Sequence, residues 1–398
     1  MRRAAAAAAL LAAGAILGVA AVEIGLRLSG VGSEFVTRDA VIGYRLTPKF
    51  TRVLTQFEKA GWSIEARTDD LGLRRDGNAT VEKPTGVRRV LILGDSQTEG
   101  IVENAETYAA VLEHLLSTAA LGGVEVLNAG VSGYSPLLEY LWLREWGARL
   151  EPDVVVVALY DGNDVGELTA REASFGGFGP WVRIASMARD RDGWTIQRPG
   201  VPSVLAAADH WLQAHLRAYA LLRKRVRLRH SGPPEATAAA AAECFGCLQA
   251  LWQPWLAQEK PEQYADAWLE LRDLLPRFAR LAAEMRARLL IVVLPTKLEV
   301  DADVARDKVA AARTTLGLRQ DPTAFAADVR ARLLAESVAA GIEVEDLAPA
   351  LQRAADDDGR PLYWSQDWHL NPAGNRVVAE ALAPVVADLL RGKGATAP

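Results

Sequence analysis

The fold is decided by the stretch RRVLILGDSQTEG, residues 88–100. Its apolar run, residues 90–93, carries no charge and is bounded by Gly94, which is typical of a strand buried on both faces. The chain then turns sharply through Asp95 and Ser96. A serine at the carboxyl end of a buried parallel strand stands where open α/β sheets bind ligands, and the backbone N–H groups of the turn can stabilise an anion. Ser96 is therefore a candidate nucleophile, although such a turn is also common without catalysis.

The composition excludes some classes of protein. The chain has 398 residues, of which 50% are hydrophobic and 24% are charged, so a large core is available. That length suits one large domain with an insertion, or two small domains. The formal net charge of −5 argues against a nucleic-acid partner, which requires a basic face. Cys244 and Cys247 form a single C-x-x-C pair, which is a poor zinc site, and the sequence predicts neither a metal nor a cofactor.

The N-terminus is directed to a membrane. Arg2 and Arg3 precede 19 uncharged residues, 4–22, close to the length of a bilayer-spanning helix. We expect residues 1–29 to form an uncleaved transmembrane anchor rather than a cleaved signal peptide, since the run is long for the latter. The two arginines should stay in the cytoplasm, which predicts a single-pass inner-membrane protein with its catalytic domain in the periplasm. There the two cysteines could pair as a disulfide.

Strands and helices alternate from residue 88 onward. Helical spacing of apolar residues marks 107–118, and Pro136 starts a second helical segment that runs to residue 150. Five apolar segments read as buried strands, and they are residues 90–93, 124–127, 154–159, 289–294 and 342–344. Strands separated by helices predict an α/β fold with a doubly wound, five-stranded parallel sheet.

The sequence divides into five parts. The membrane anchor is followed by an extended lead-in with a β-hairpin, a first part of the core, a helical insertion and a second part of the core. These last four parts cover residues 30–87, 88–164, 165–288 and 289–398. An insertion at the catalytic rim would act as a lid. Six of the eleven tryptophans lie in it, and tryptophan faces stack on sugar rings, although packing between helices is the more frequent use.

Polar residues follow the strands at the points where the strands end. Ser96 follows the first strand, Asn128 and Gly130 the second, and Asn163 the third, while His369 lies between the fifth strand and the last helix. In a doubly wound sheet these loops share one rim. A hydroxyl, a histidine base, a carboxylate and neutral donors are the groups that acyl transfer requires. Taken singly, the asparagines could be ordinary turn residues.

The chain resembles the SGNH (GDSL-type) hydrolases in four ordered blocks. The blocks are Gly94-Asp95-Ser96, Asn128-Ala129-Gly130 with Gly133, Gly162-Asn163-Asp164, and Asp367-Trp368-His369. The resemblance implies a flavodoxin-like SGNH fold, with Ser96 as the nucleophile and His369 as the base. It also implies an oxyanion hole made by the amides of Ser96, Gly130 and the Asn163 side chain. The N-terminal anchor is similar to that of a membrane-anchored bacterial subset.

Two positions depart from the family pattern. Gln366 occupies the usual place of the aspartate, three residues before the histidine, and Asp367 lies only two before it. Some SGNH proteins of exopolysaccharide O-acetylation are similar to this D-x-H form, so we assign Asp367 as the orienting carboxylate. Asp161 stands where the third block usually has glycine. Ser132 is not expected to be a nucleophile, since Tyr134 breaks the G-x-S-x-G pattern, and its expected role is to support the backbone.

Three functions remain open at this point. The first is a serine esterase that removes an O-acyl group from a carbohydrate or lipid outside the cytoplasm. The second is an O-acetyltransferase that passes the same acyl group to a sugar hydroxyl. The third is a catalytically silent factor for glycan binding or assembly, which the presence of Ser96, Asn163, Asp367 and His369 disfavours.

Overall fold

The computed structural model describes residues 2–28, 35–55, 63–119, 122–170, 172–173, 182–190, 193–199, 212, 216–219, 222, 245–301 and 306–392. The strands are β1 (Val36–Asp39), β2 (Gly43–Leu46), β3 (Thr51–Thr55), β4 (Ser63–Arg67), β5 (Val87–Gly94), β6 (Gly123–Asn128), β7 (Val154–Tyr160), β8 (Glu172–Ala173), β9 (Val182–Arg183), β10 (Ser186–Asp190), β11 (Gly193–Gln197), β12 (Arg288–Leu294) and β13 (Glu343–Asp346). The helices are α1 (Arg2–Leu28), α2 (Ser96–Glu99), α3 (Tyr108–Thr118), α4 (Pro136–Glu145), α5 (Asp164–Glu167), α6 (Phe245–Glu259), α7 (Pro261–Glu284), α8 (Lys297–Val300), α9 (Arg306–Thr315), α10 (Pro322–Ala339), α11 (Ala348–Asp358) and α12 (Pro372–Leu390).

A five-stranded sheet with the order β13-β12-β7-β5-β6 forms the centre of the molecule, and every neighbouring pair is parallel. Numbered along the chain, these strands lie in the flavodoxin-like order 2-1-3-4-5, so the predicted α/β sheet is confirmed. The strand order reverses between β5 and β7. Ligands bind at such a point outside the carboxyl ends of the strands, where the loops after β5 and β7 meet.

Helices cover both faces of the sheet because alternate strand residues point to opposite sides. Leu91 and Leu93 of β5 belong to one apolar cluster, together with residues of α4, α7 and α10. Val90 and Ile92 belong to a second cluster, together with residues of α3, α11 and α12. The predicted helix at 107–118 begins one residue later than expected, since the Thr107 side chain caps it by accepting a hydrogen bond from the Ala110 N–H. The helix predicted to run from Pro136 to residue 150 ends as an α-helix at Glu145.

The lead-in packs against the core. Its predicted hairpin is confirmed as the antiparallel pair β3–β4, with the connection outside the described residues. Tyr44 on β2 is fully buried and meets Tyr134 edge to face, with the ring centroids 5.2 Å apart. The Tyr134 hydroxyl donates to the Tyr44 carbonyl at 2.5 Å. The lead-in therefore supports the loop after β6, which carries the second sequence block.

The insertion is not helical throughout. Its first described part consists of two antiparallel pairs, β8–β9 and β10–β11, so the helical prediction is wrong there. Its second part is helical and comprises α6 and α7. Helix α7 packs on α4 and β12 as the crossover between β7 and β12, and it buries Trp268 in the core. The pairing of Cys244 with Cys247, which the sequence leaves open, lies outside the described residues, since they do not include Cys244.

Helix α1 holds the uncharged run that the sequence assigns to a membrane anchor, and its C-terminal part carries an ion pair between Arg27 and Glu23 at 2.8 Å. Within the described part of the chain, no helix has both the length and the apolar character needed to cross a membrane. The prediction of a transmembrane helix is therefore not supported. Residues 4–9 are all alanine, whose small side chain contributes little apolar surface.

Candidate active site

Ser96 stands at the carboxyl end of β5 as the first residue of α2. The Asp95 side chain caps this short helix by accepting a hydrogen bond from the Gln97 N–H at 2.8 Å. The turn requires glycine at position 94, since a Cβ there would collide with the Thr98 side chain and lie 3.2 Å from the Ala158 carbonyl oxygen. The local sequence thus holds the Ser96 hydroxyl at the rim of the sheet.

His369 and Asp367 meet Ser96 from the far end of the chain. The Ser96 Oγ lies 2.8 Å from His369 Nε2, across 273 positions of sequence. The other ring nitrogen, Nδ1, is hydrogen-bonded to Asp367 Oδ1. Both side chains are buried, with 6% of His369 and 2% of Asp367 exposed. The structure therefore brings together the three residues that the sequence predicts as a catalytic triad, in the order hydroxyl, imidazole, carboxylate.

Electrostatics favour the charged form of the imidazole. Burial alone would lower the pKa of His369, but the Asp367 carboxylate, together with Asp95 and Glu99, outweighs it and raises that pKa above its ordinary value of 6.5. Asp95, the residue directly before Ser96, is fully buried, and this burial raises the pKa of its carboxyl. A base whose protonated form is stabilised by a fixed carboxylate can take a proton from Ser96 and return it to a leaving group.

The segment that carries Asp367 and His369 is a non-helical turn. Trp368, between the two residues, adopts a left-handed conformation with φ +69°. A bulky residue in this region is strained. The buried Trp368 ring belongs to an apolar cluster with Leu251 of α6 and Leu298 of α8. Packing around Trp368 therefore holds the turn that aims both side chains.

Gln97 is a site residue that sequence reasoning missed. Its side chain is buried, accepts a hydrogen bond from the Leu370 N–H at 3.1 Å and donates to the Trp368 carbonyl at 3.4 Å. These two bonds involve the residues directly before and after His369, and they connect its loop to helix α2, which starts with Ser96. The contact spans 271 positions between Gln97 and Trp368, so no local sequence signal could have revealed it.

The predicted oxyanion donors lie around the same turn, with one difference. Gly130 packs against α2 so closely that a Cβ there would lie 2.6 Å from the Thr98 carbonyl carbon. Its N–H, however, already donates to Asn128 Oδ1 at 2.9 Å. An asparagine side chain that accepts a hydrogen bond from the backbone N–H two residues later is a common turn arrangement. The motif N-A-G could therefore have predicted this bond from the sequence. The Asn128 Nδ2 in turn donates to the Thr98 carbonyl at 2.8 Å.

Asn163, at the start of α5, directs its side-chain nitrogen to two carboxyl groups. Nδ2 donates to Asp95 Oδ2 at 3.3 Å and to Glu167 Oε1 at 3.0 Å. The same Asp95 oxygen lies 3.4 Å from Ser96 Oγ, so the amide nitrogen and the nucleophile share one hydrogen-bond partner. Helix α6 holds this loop, since the Gln253 side chain accepts from the Gly166 N–H at 2.7 Å and donates to the Asp161 carbonyl at 2.8 Å.

Ser132 has the supporting role expected for it. Its N–H and its hydroxyl both donate to Glu99 Oε2, each at 2.7 Å, and Tyr44 donates to its carbonyl at 3.0 Å. Asp161, which replaces the family's glycine, is buried, and burial together with Glu299 raises the pKa of its carboxyl well above the usual range. No group of three or more His, Cys, Asp or Glu side chains in the described ranges is arranged to hold a metal ion.

The profile of the GDSL-like lipase/acylhydrolase family matches residues 92–377. The chain belongs to this family. It is accordingly a hydrolase of ester bonds, as the sequence predicts. The matched range begins in β5 and ends in α12, so it spans the sheet and includes Ser96, Asn163 and His369. No curated protein sequence matches the chain.

Solved structures that match the chain include GDSL-family proteins and esterases. An acetyl xylan esterase is 13% identical, with a TM-score of 0.38, and the alignment covers 75% of this chain and 99% of that one. A lipolytic G-D-S-L family protein from Veillonella parvula is 14% identical, with a TM-score of 0.34 and coverage of 75% and 97%. An acetyl-xylooligosaccharide esterase from Geobacillus is 13% identical, with a TM-score of 0.35 and coverage of 77% and 94%. These likenesses are distant, and the family assignment rests on the profile match.

Proposed function

We propose that this GDSL-family hydrolase is a serine esterase that removes an O-acyl group from a carbohydrate through an acyl-Ser96 intermediate. The observation that carries the proposal is the chain of contacts from Ser96 Oγ to His369 Nε2 at 2.8 Å and from His369 Nδ1 to Asp367. A serine hydroxyl is a weak nucleophile unless a positioned base takes its proton, and this arrangement supplies the base together with its orienting group.

The reaction runs in two halves. Ser96 Oγ attacks the acyl carbonyl carbon while its proton passes to His369 Nε2, which gives a tetrahedral oxyanion. The bond to the sugar oxygen then breaks, and that oxygen takes the proton from His369. In the second half a water attacks the acyl-enzyme, His369 accepts the proton of the water, and the carboxylic acid leaves as Ser96 is restored. The Asn163 amide, which shares the Asp95 carboxyl with Ser96, supports the oxyanion by hydrogen bonding.

A cavity beside the insertion supports a carbohydrate over a lipid. It measures about 370 Å³, and its lining includes Leu168 and Thr169, which follow the third sequence block in the chain, but none of the triad residues. Its walls combine Trp194 of β11 with polar side chains, among them Gln197, Arg189, Gln263 and Asp266. An aromatic face with hydrogen-bonding groups suits a sugar ring, whereas an acyl chain of a lipid prefers an apolar lining.

Esterase assays test the proposal directly. The full chain should hydrolyse p-nitrophenyl acetate, and Ser96→Ala should abolish the activity. Mass spectrometry after treatment with a fluorophosphonate should place the adduct on the Ser96 peptide, with Ser132→Ala labelled as well as the wild type. An adduct on Ser132, or activity that survives Ser96→Ala, would contradict the assignment. Adding an acceptor glycan to the assay distinguishes transfer from hydrolysis, since only a transferase would yield an acylated glycan.

The location is a separate proposal. An inner-membrane protein with its catalytic domain in the periplasm is supported by Arg2 and Arg3, which precede 19 uncharged residues. If a reporter that is active only in the periplasm is fused after Pro398, it should therefore give a signal. Signal from a reporter that works only in the cytoplasm would overturn this topology.

A further inference from the structure

The direction in which the Asn163 amide points is not fixed by its own geometry. The amide torsion of an asparagine is broad and roughly two-fold, so nitrogen and oxygen can exchange places at little intrinsic cost. If Nδ2 points towards Ser96, the amide can donate a hydrogen bond to the oxyanion. If Oδ1 points there instead, its partial negative charge would repel the oxyanion. In the structure Nδ2 faces Asp95 and Glu167, and Oδ1 is buried and has no hydrogen-bond partner among the described residues.

Glu167 is placed to select between these two orientations. It lies one helical turn after Asn163 on α5, is half-buried, and accepts the Asn163 Nδ2 hydrogen bond at 3.0 Å through Oε1. Its other oxygen is buried and makes no hydrogen bond within the described part of the chain. The helix cannot shift freely, since Gln253 binds the Gly166 N–H and a Cβ on Gly166 would collide with the ring of Trp252.

The charge state of Glu167 suits this position. Burial, with a further contribution from the Asp95 carboxylate, raises the pKa of the Glu167 carboxyl well above its usual range. A neutral carboxylic acid keeps a carbonyl oxygen that accepts from an amide. It does so without placing a full negative charge beside the point where the oxyanion develops, which would oppose catalysis.

We propose that Glu167 is a positioning residue that holds the Asn163 amide with its nitrogen beside Ser96. The inference rests on the serine-esterase function proposed above and adds to it a residue outside the four sequence blocks. Glu167 acts through Asn163 and touches neither substrate nor the reacting atoms. Misplacing a catalytic group by about 1 Å can cost about 10²-fold in rate, and an amide with its oxygen reversed is a misplacement of this size.

Two substitutions separate the role of the acceptor from that of the side-chain volume. Glu167→Gln keeps a carbonyl oxygen for Asn163 Nδ2 and should retain most of the activity on p-nitrophenyl acetate. Glu167→Met keeps the length and removes the acceptor, and we expect a fall of roughly 10–100-fold in kcat with little change in KM. Glu139→Met is the control, because Glu139 is a buried glutamate whose two oxygens make no hydrogen bond within the described residues. It should leave kcat and KM unchanged.

A double-mutant cycle shows whether Glu167 acts through Asn163. In an Asn163→Ala background, Glu167→Met should have no further effect on kcat. An equal loss in both backgrounds, or a Glu167→Gln variant as slow as Glu167→Met, would overturn the proposal. A second readout does not depend on activity: the side-chain amide resonances of Asn163 should shift in Glu167→Met and stay in place in Glu139→Met. Unmoved resonances would contradict the inference, whereas a wild type inactive on esters would contradict the proposed function alone.

Discussion

At the scale of single residues, the spacing of Asp367 and His369 is the feature that sets this site apart from the usual family pattern. The left-handed Trp368 between them lets an aspartate two positions before the histidine reach Nδ1. Gln366, which stands where the family has aspartate, is exposed, and its Nε2 donates to Ser365 Oγ at 3.3 Å. The structure therefore places Asp367 beside the imidazole in the position expected of the orienting carboxylate.

We expect Asp367→Asn to lower kcat by up to ~10⁴-fold, because the imidazole would then favour the wrong tautomer. Gln366→Ala, measured in the same esterase assay, should leave kcat within a small factor of the wild type. The competing arrangement is a Ser96–His369 dyad without a carboxylate. Near-normal rates for Asp367→Asn would favour that dyad.

The pH dependence should follow the same pair. His369 must be neutral to accept the Ser96 proton, so kcat/KM should fall as the pH drops through the pKa of His369, which lies above its ordinary value of 6.5. Asp367 is the largest of the groups that raise this pKa. The residual activity of Asp367→Asn should therefore begin to fall at a lower pH than the activity of the wild type. A pH profile for kcat/KM measures the shift, and an acid limb at the same pH in both proteins would contradict it.

At the scale of elements, the sequence predicted the parts that have a local cause. Three of the five core strands have uninterrupted apolar runs, and the other two contain one glutamate each. All five lie in the sheet, with ends that differ from the prediction by up to three residues. The hairpin β10–β11 was missed because its strands alternate too weakly within a long insertion. The Gln97 hydrogen bonds are tertiary contacts, and the Gly130 N–H bond to Asn128 belongs to a single turn. The periodicity of apolar residues reveals neither of them.

Helix α2 and the loop around His369 are joined by Gln97, and the strength of that link can be measured. Gln97→Met preserves the volume of the side chain but removes both hydrogen bonds to the loop. We expect kcat to fall by roughly 10–100-fold, because Ser96 and His369 lose their shared support. Gln366→Met is the matched control at an exposed position of the same loop. Equal rates for the two variants would show that the Gln97 bonds do not position His369.

At the scale of the whole molecule, Arg89 links the lead-in, the sheet and the helical layer. It is fully buried, and its guanidinium pairs with Glu125 at 2.8 Å. It also donates to the carbonyls of Thr80 and Val81 in the lead-in and of Leu150 after α4. The lead-in that the sequence separates from the core is thus bound to it through one side chain of β5.

Arg89→Met should lower the free energy of unfolding by ~3 kcal/mol, because several buried carbonyls would lose their donor and Glu125 its partner. Arg391→Met is the control, since its pairing with Asp388 at 3.1 Å lies on the surface and such pairs contribute about 0–1 kcal/mol. Urea unfolding of both variants at fixed pH measures the difference. A loss of less than ~1 kcal/mol in Arg89→Met would show that the lead-in is held by its apolar contacts instead.

The separation of 273 positions between Ser96 and His369 also has a meaning for the nascent chain. At about 5–20 residues per second, a ribosome adds His369 on the order of 14 to 55 s after Ser96. Until then β5 and its serine can form without a base, so a stalled or truncated chain carries an inert hydroxyl. Esterase activity therefore first becomes possible after His369 has been added and its loop has reached Ser96.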